Sequence, residues 1–432
     1  MALWLKTADP DFEERFAGLL AQKREQAADV NAAVAEIIAR VREQGDTALA
    51  ELTLRFDQLD LGKTGIRVSP QEIAAARAKA DARTREALEL AHDRILAHHK
   101  RQLPKDDIYK DALGVELGTR WTPVASAGLY VPGGTASYPS SVLMNAVPAK
   151  VAGVERIVMV VPAPNGVLNP LVLAAAELAG IIEIYRVGGA QAIAALAYGT
   201  ESIAPVVKIV GPGNAYVAAA KRQVFGQVGI DMVAGPSEVV VIADRDNDPA
   251  WIAADLLAQA EHDTAAQAIL ITDDEAFARA VESCVEAELA VLPRANTACA
   301  SWRDFGAVIQ VESLDQAPAL ADRLAPEHLE IATKDADALA VRVCDAGAIF
   351  IGRHTPEAIG DYVAGTNHVL PTARSARFAS GLGVLDFMKR TSILKLDPDS
   401  LAALGPAAMT LAEAEGFAAH RRSVAIRLNR RD

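Results

Sequence analysis

Cysteine is scarce in this chain of 432 residues. Its thiols, Cys284, Cys299 and Cys344, include no CxxC pair, which excludes a disulfide framework or thiolate zinc knuckle and fits a reducing cytosol. None sits in an electropositive turn of the kind that activates a nucleophilic thiolate, so covalent capture of an aldehyde by cysteine is not expected. Positive charge is short as well: 43 Lys and Arg against 56 Asp and Glu leave a net charge of −13, which argues against binding nucleic-acid backbone. Long apolar runs are missing. Stretches such as Ile157 to Val161 end in proline, glycine or charge far short of the ~18 to 20 residues a membrane helix needs. The first residues carry Lys6, Asp9, Asp11, Glu13 and Glu14 where a signal peptide would be apolar. Neither nucleic acid nor membrane is an expected partner, and the expected location is cytoplasmic.

What is present is an ordinary globular mixture, 51% hydrophobic and 23% charged, able to bury sizeable cores. At roughly 150 residues per domain the length implies about two or three domains. Residues 10 to about 103 are mostly helical by pattern, with apolar positions Val34, Ile37, Ile38 and Val41 at the spacing of one helix face. Ser69-Pro70-Gln71-Glu72 reads as a capping box with proline at the first helical position. From about residue 120, short β-branched runs alternate with alanine-rich helical segments, the texture of βαβ units and a parallel sheet. The strand candidates are Ile157 to Val161, Ile184 to Val187, Lys208 to Val210, Val239 to Ile242, Ile269 to Ile271, Val308 to Val311 and Ile349 to Ile351. So many repeats exceed one mononucleotide-binding half, which implies two similar α/β domains dividing near Gly235-Pro236. After about residue 376 the alternation stops and a mainly helical tail follows.

Several motifs could carry chemistry. Lys208 to Tyr216 runs from an apolar strand through Gly211-Pro212-Gly213-Asn214 into a helix, a geometry that aims backbone N–H groups at an anion such as a pyrophosphate. Against the fingerprint GxGxxG it has Tyr216 in the third glycine place, so an ordinary strand-to-helix turn is an equal reading. Similar turns sit at Gly133-Gly134 and Gly188-Gly189. Gln259 and His262 are three apart on an expected helix and share a face, where both could touch one ion or could simply form a solvated helix end. Pro326-Glu327-His328 sets a carboxylate beside an imidazole after a helix ending near Leu324-Ala325. Such a pair could shuttle a proton and activate water, or serve as a cap. Gly360 to His368 gathers Asp361, Tyr362, Asn367 and His368 in a glycine-flanked segment beyond a strand, either a ligand loop or plain surface. His420 and Glu415 lie in the tail.

Taken together these segments resemble L-histidinol dehydrogenase over nearly the whole chain. The resemblance is carried by Gly128 to Gly134, Val187 to Ala192, Gly211 to Asn214, Ile230 to Glu238, Gln259 to His262, Pro326 to His328 and Asn367 to Thr372. It implies an α/β fold of two incomplete Rossmann-like domains with parallel sheets, plus a helical N-terminal region and a helical C-terminal tail. The corresponding boundaries are 1–105 for the N-terminal region, 120–236 for the NAD-side domain, 237–375 for the zinc and catalytic domain, and 376–432 for a tail reaching the partner subunit. It further implies a homodimer with shared active sites that oxidises L-histidinol to L-histidine through the aldehyde, using two NAD+ and one zinc ion per subunit. The implied zinc ligands are Gln259, His262, Asp361 and His420, the last from the partner. The implied substrate contacts are these residues with Ser237, His328, His368 and Glu415. Tyr130, Gln191 and Asn214 would line the NAD site, His328 would act as general base and Glu327 would activate water. A related dehydrogenase of a sulfonated diol and a non-catalytic metal- or nucleotide-binding module are the alternative readings.

Overall fold

The computed structural model describes residues 2–22, 30–133 and 138–429, so Gly134 of the first glycine turn lies outside the described residues. The chain forms two compact units, one from Met1–Gln102 with Ala125–Phe387, the other from Leu103–Val124 with Met388–Asp432.

The N-terminal part of the first unit is helical, as the apolar spacing requires. The helix Val30–Gln44 buries Val34, Ile37, Ile38 and Val41 along one stripe. The helix Pro70–Lys79 begins at the expected capping box, where Ser69 and Glu72 each accept the other's backbone N–H. One strand precedes these helices, β1 (Leu3–Lys6), whose few residues carry no readable period.

Strands β2 (Asp107–Lys110) and β3 (Glu116–Pro123) belong to the second unit. The first unit resumes with β4 (Ser126–Tyr130), β5 (Arg156–Val160), β6 (Glu183–Tyr185), β7 (Lys208–Val210) and β8 (Gly229–Ile230). These make a five-stranded sheet, ordered β6-β5-β4-β7-β8, in which every pairing is parallel. After the short link Asp231–Ser237 come β9 (Glu238–Ala243), β10 (Gln267–Thr272), β11 (Ala307–Gln310), β12 (His328–Ala332) and β13 (Ala348–Ile351). With β1 they form a six-stranded sheet, β1-β11-β10-β9-β12-β13, again parallel throughout. The runs EVVVIA of β9 and QAILIT of β10 are buried at every position, because helices cover both faces of a parallel sheet. Val240, Ile242, Ile269 and Ile271 pack with Phe12 and Phe16, while Val239, Val241 and Leu270 pack with Leu256, Phe277 and Trp302.

In the second unit β2, β3 and β14 (Met388–Lys395) form an antiparallel sheet, followed by the helices Pro398–Ala414 and Ala418–Arg427. The α/β class with two parallel sheets and helical ends is therefore the observed architecture, with this antiparallel sheet added. Among the described residues no helix is long and apolar enough to cross a membrane.

Candidate active site

His328 and Glu238 are the leading residues of the neighbouring parallel strands β12 and β9, with His328 in register with Val239. The site is thus built at the amino-terminal edge of the six-stranded sheet. That departs from the rule that open α/β sheets bind ligands beyond their carboxyl ends. The reason lies in the helix Pro249–Ala260, which follows β9 and runs back, so its last turn delivers Gln259 and then His262 to the same edge. Pro326-Glu327 is not merely a helix-end break, as it leads directly into a central strand.

His328 is buried, and its Nδ1 lies 3.2 Å from the Glu238 carbonyl oxygen, which assigns the ring proton to Nδ1. Its Nε2 faces Asp361 Oδ1 at 3.4 Å. Glu327 Oε2 and Glu357 Oε2 stand 3.8 and 3.9 Å from Nδ1, and the Phe350 ring lies 5.9 Å away. Glu327 Oε2 in turn accepts the Glu238 N–H at 3.1 Å. The fully buried Gln259 amide is oriented by its neighbours: its nitrogen donates to Glu357 Oε1 at 2.7 Å and its oxygen accepts the Glu238 N–H at 3.2 Å. His368 sits beside Asp361, with Nδ1 2.9 Å from the Asp361 carbonyl oxygen and Nε2 3.2 Å from Ser141 Oγ.

Electrostatics set the protonation states. Burial opposes a charge on His328, but Glu357, Glu327 and Asp361 outweigh it and carry its pKa up to about 10. Burial pushes Glu357 up to about 8 even against the pull of His328. Burial also tends to raise Asp361, yet the hydrogen bond and charge of His328 keep it below the usual carboxylate range. Burial lowers His262 and His368, despite Asp361 nearby, so both present neutral imidazoles with a lone pair. Behind Glu357 lies a pair that sequence reasoning missed. The Glu357 N–H donates to Glu330 Oε1 at 2.6 Å, and burial together with Asp255 holds Glu330 well above the carboxylate range. Glu357 itself was missed too. Its spacing four residues before Asp361, just after Pro356, puts both on one helix face and was the available signal.

The NAD-side candidates gather at the opposite kind of edge, the carboxyl ends of the five-stranded sheet. Tyr130 ends β4, and its hydroxyl accepts the Gly189 N–H at 3.1 Å. Burial pushes this phenol up to about 12, so it stays neutral. Gln191 is buried on the helix Gly189–Tyr198. Asn214 caps the helix Ala215–Val224, its Oδ1 accepting the N–H groups of Tyr216 and Val217 at 3.1 Å each. The link Asp231–Ser237 joins this edge to the amino-terminal edge of the six-stranded sheet and places Ser237 immediately before Glu238. Gly235 N–H on the link donates to Thr372 Oγ1 at 2.6 Å, tying it to the segment that follows His368. The structure therefore brings Gln259, His262, Glu327, His328, Asp361 and His368 together. Glu415 and His420 belong to the second unit, where both are exposed.

A glycine turn at the carboxyl edge of one parallel sheet and a buried imidazole–carboxylate cluster at the edge of the other are features of an α/β dehydrogenase. Comparison with known proteins makes this specific. The family described as Histidinol dehydrogenase matches residues 20–428. The chain is 68% identical over 429 residues to histidinol dehydrogenase of Mesorhizobium japonicum, covering 99% of this chain and 100% of that protein. It is 69% identical to the Brucella suis enzyme over the same length, again covering 99% of this chain and 100% of the relative. The crystal structure of histidinol dehydrogenase from Elizabethkingia anophelis superposes with a TM-score of 0.95 at 36% identity, covering 99% of this chain and 98% of that one. The chain belongs to the histidinol dehydrogenase family, whose reaction is the oxidation of histidinol to histidine in histidine biosynthesis.

Proposed function

We propose that the enzyme carries out this oxidation in two hydride transfers to two NAD+ molecules, with His328 as proton acceptor in both. The observation that carries the reading is the buried His328, held by Glu238 at Nδ1 and ringed by Glu327, Glu357 and Asp361. In the first step the alcohol loses its hydroxyl proton to His328 and a hydride to NAD+, giving the aldehyde. Glu327 then takes a proton from water as the water oxygen adds to the aldehyde carbon. The hydrate finally gives a proton to His328 and a hydride to the second NAD+. The balance is one alcohol, two NAD+ and one water to one carboxylate, two NADH and three protons. No thioester is required, which agrees with three free cysteines, none of them at this site.

The donors Gln259, His262 and Asp361 suit a zinc ion: nitrogen and oxygen ligands, His262 neutral and Asp361 ionised, all at one edge. Among the described residues no group of three or more His, Cys, Asp or Glu is arranged to hold a metal. A set with one amide, one imidazole and one carboxylate per chain gives that result, and His420 of the partner subunit would complete it in a homodimer with shared sites. A bound zinc ion would supply orientation of the substrate and polarisation of its oxygen. His328 would then lose part of its high proton affinity, because a cation beside Asp361 opposes its charge and moves it towards the range of a base at neutral pH. Ser237 and His368 flank the same edge as substrate contacts, with Glu415 the proposed anchor for the cationic amine. Tyr130, Gln191 and Asn214 would hold NAD+. The free thiols accord with a cytoplasmic enzyme.

The test is the yield of NADH per L-histidinol consumed, with and without a chelator. Two equivalents, abolished by chelation and restored by zinc, are expected. One equivalent, or a yield indifferent to chelation, overturns the corresponding part.

A further inference from the structure

Lys221 and Asp231 form an ion pair whose side chains are only 2% and 1% exposed, and the reaction outlined above uses neither. Two charges removed from water carry a desolvation penalty that apolar residues of similar volume avoid, so what the pair holds is informative. Lys221 Nζ donates to the Gly211 carbonyl oxygen at 2.9 Å, and Asp231 Oδ2 accepts the Gly211 N–H at 2.8 Å. Both polar groups of one residue are therefore gripped by a single ion pair.

That residue is the first after β7. Its φ is +113°, and a Cβ there would lie 2.1 Å from the Tyr130 carbonyl oxygen. The turn that follows, Pro212-Gly213-Asn214, opens the helix on which Lys221 sits, while Asp231 is the first residue of the link to the catalytic edge. The clamp thus ties the turn, its helix and the link to one another beside Tyr130.

We infer that Lys221 and Asp231 are positioning residues for the cofactor, fixing the Gly211-to-Asn214 turn so that it and Tyr130 meet the pyrophosphate of the dinucleotide. The inference rests on the proposal that this turn is the NAD+ site, and the experiment separates the two. In the paired variant Lys221→Met with Asp231→Leu, both charges are removed together, so no buried charge is left alone and the fold is retained. The equilibrium Kd for NAD+ should rise about tenfold or more, and hydrogen exchange over residues 208–217 should quicken. Thermal stability should fall somewhat, because the buried Gly211 N–H and carbonyl lose their partners, while the Kd for histidinol with zinc bound should stay within about twofold of the parent value. A merely structural role would instead weaken both ligands together, and that result overturns the inference. Asn214→Ala, measured alongside, tests the turn itself. If it weakens NAD+ while the paired variant does not, the clamp falls alone; if neither weakens NAD+, the placement of the cofactor falls with it.

Discussion

Replacing His328 tests the centre of the proposed reaction, and the geometry indicates which replacements are informative. Nδ1 faces the Glu238 carbonyl oxygen and Nε2 faces Asp361, so Nε2 is the atom left to take a proton. In His328→Asn the amide nitrogen can approach the Glu238 carbonyl as Nδ1 does, but nothing reaches the position of Nε2. In His328→Gln the amide extends towards that position but has no basicity. Both variants keep a polar group among Glu327, Glu357 and Asp361, so both should fold. Loss of a general base typically costs ~10² to 10⁴ in rate, or about 3 to 5 kcal/mol of barrier. The assay is NADH formation in two formats, from histidinol and from supplied aldehyde. Both rates should fall by that factor in both variants, with KM for histidinol changed little. If either variant oxidised aldehyde within about tenfold of the parent rate, His328 would not be the base of the second step.

Glu327→Gln keeps an oxygen to accept the Glu238 N–H, so the fold should hold while aldehyde oxidation slows by ~10² or more and alcohol oxidation changes little; equal slowing of both half-reactions would contradict a role in hydration. Gly211→Ala combines a left-handed backbone with a Cβ 2.1 Å from the Tyr130 carbonyl oxygen, and should destabilise by about 3 kcal/mol in urea unfolding. A variant as stable as the parent would show that the turn has another conformation. Glu183 accepts two hydrogen bonds from Arg156, at 3.0 and 2.8 Å, and although burial tends to raise its pKa, Arg156 holds it below the ordinary 4.5. A depressed folded-state value stabilises above the unfolded pKa and is lost as pH falls through the folded one. Glu183→Gln should therefore be less stable by about 1 kcal/mol at neutral pH, with the gap closing below pH 4.5; a gap that persists under acid conditions would assign the loss to shape instead of charge.

The parallel strands that showed in the sequence are those written as apolar or β-branched runs. β5, β6, β7, β9, β10, β11 and β13 each carry such a run, and in β13 it shows even though Ile349 and Ile351 are exposed. β12 did not, since its HLEIA opens on the buried His328 and contains the buried Glu330, polar residues that break the apolar pattern. β4 escaped for a different reason: its SAGLY is small because Gly128 lets the Leu196 side chain approach to 2.9 Å of where a Cβ would be. The antiparallel β2, β3 and β14 are half-exposed or exposed at nearly every position, so they carry no alternation to read. The Gln259 and His262 pair was visible as a helical spacing, and the Glu327-His328 pair as neighbours. Their convergence was not, because it depends on the helix Pro249–Ala260 returning to the leading edge of β12, a fact of topology. Glu238, Glu330 and Asp255 were invisible for the same reason.

If the cofactor and substrate sites lie as proposed, the link Asp231–Ser237 has a kinetic meaning. On the proposed reading, dinucleotide and alcohol dock on separate sheets that this link joins. Reduced cofactor can leave its own ledge and a fresh molecule can take its place while the reactive aldehyde stays fastened on the other. A double oxidation completed in a single visit, with no free aldehyde escaping to nearby amines, is what that division of labour makes feasible.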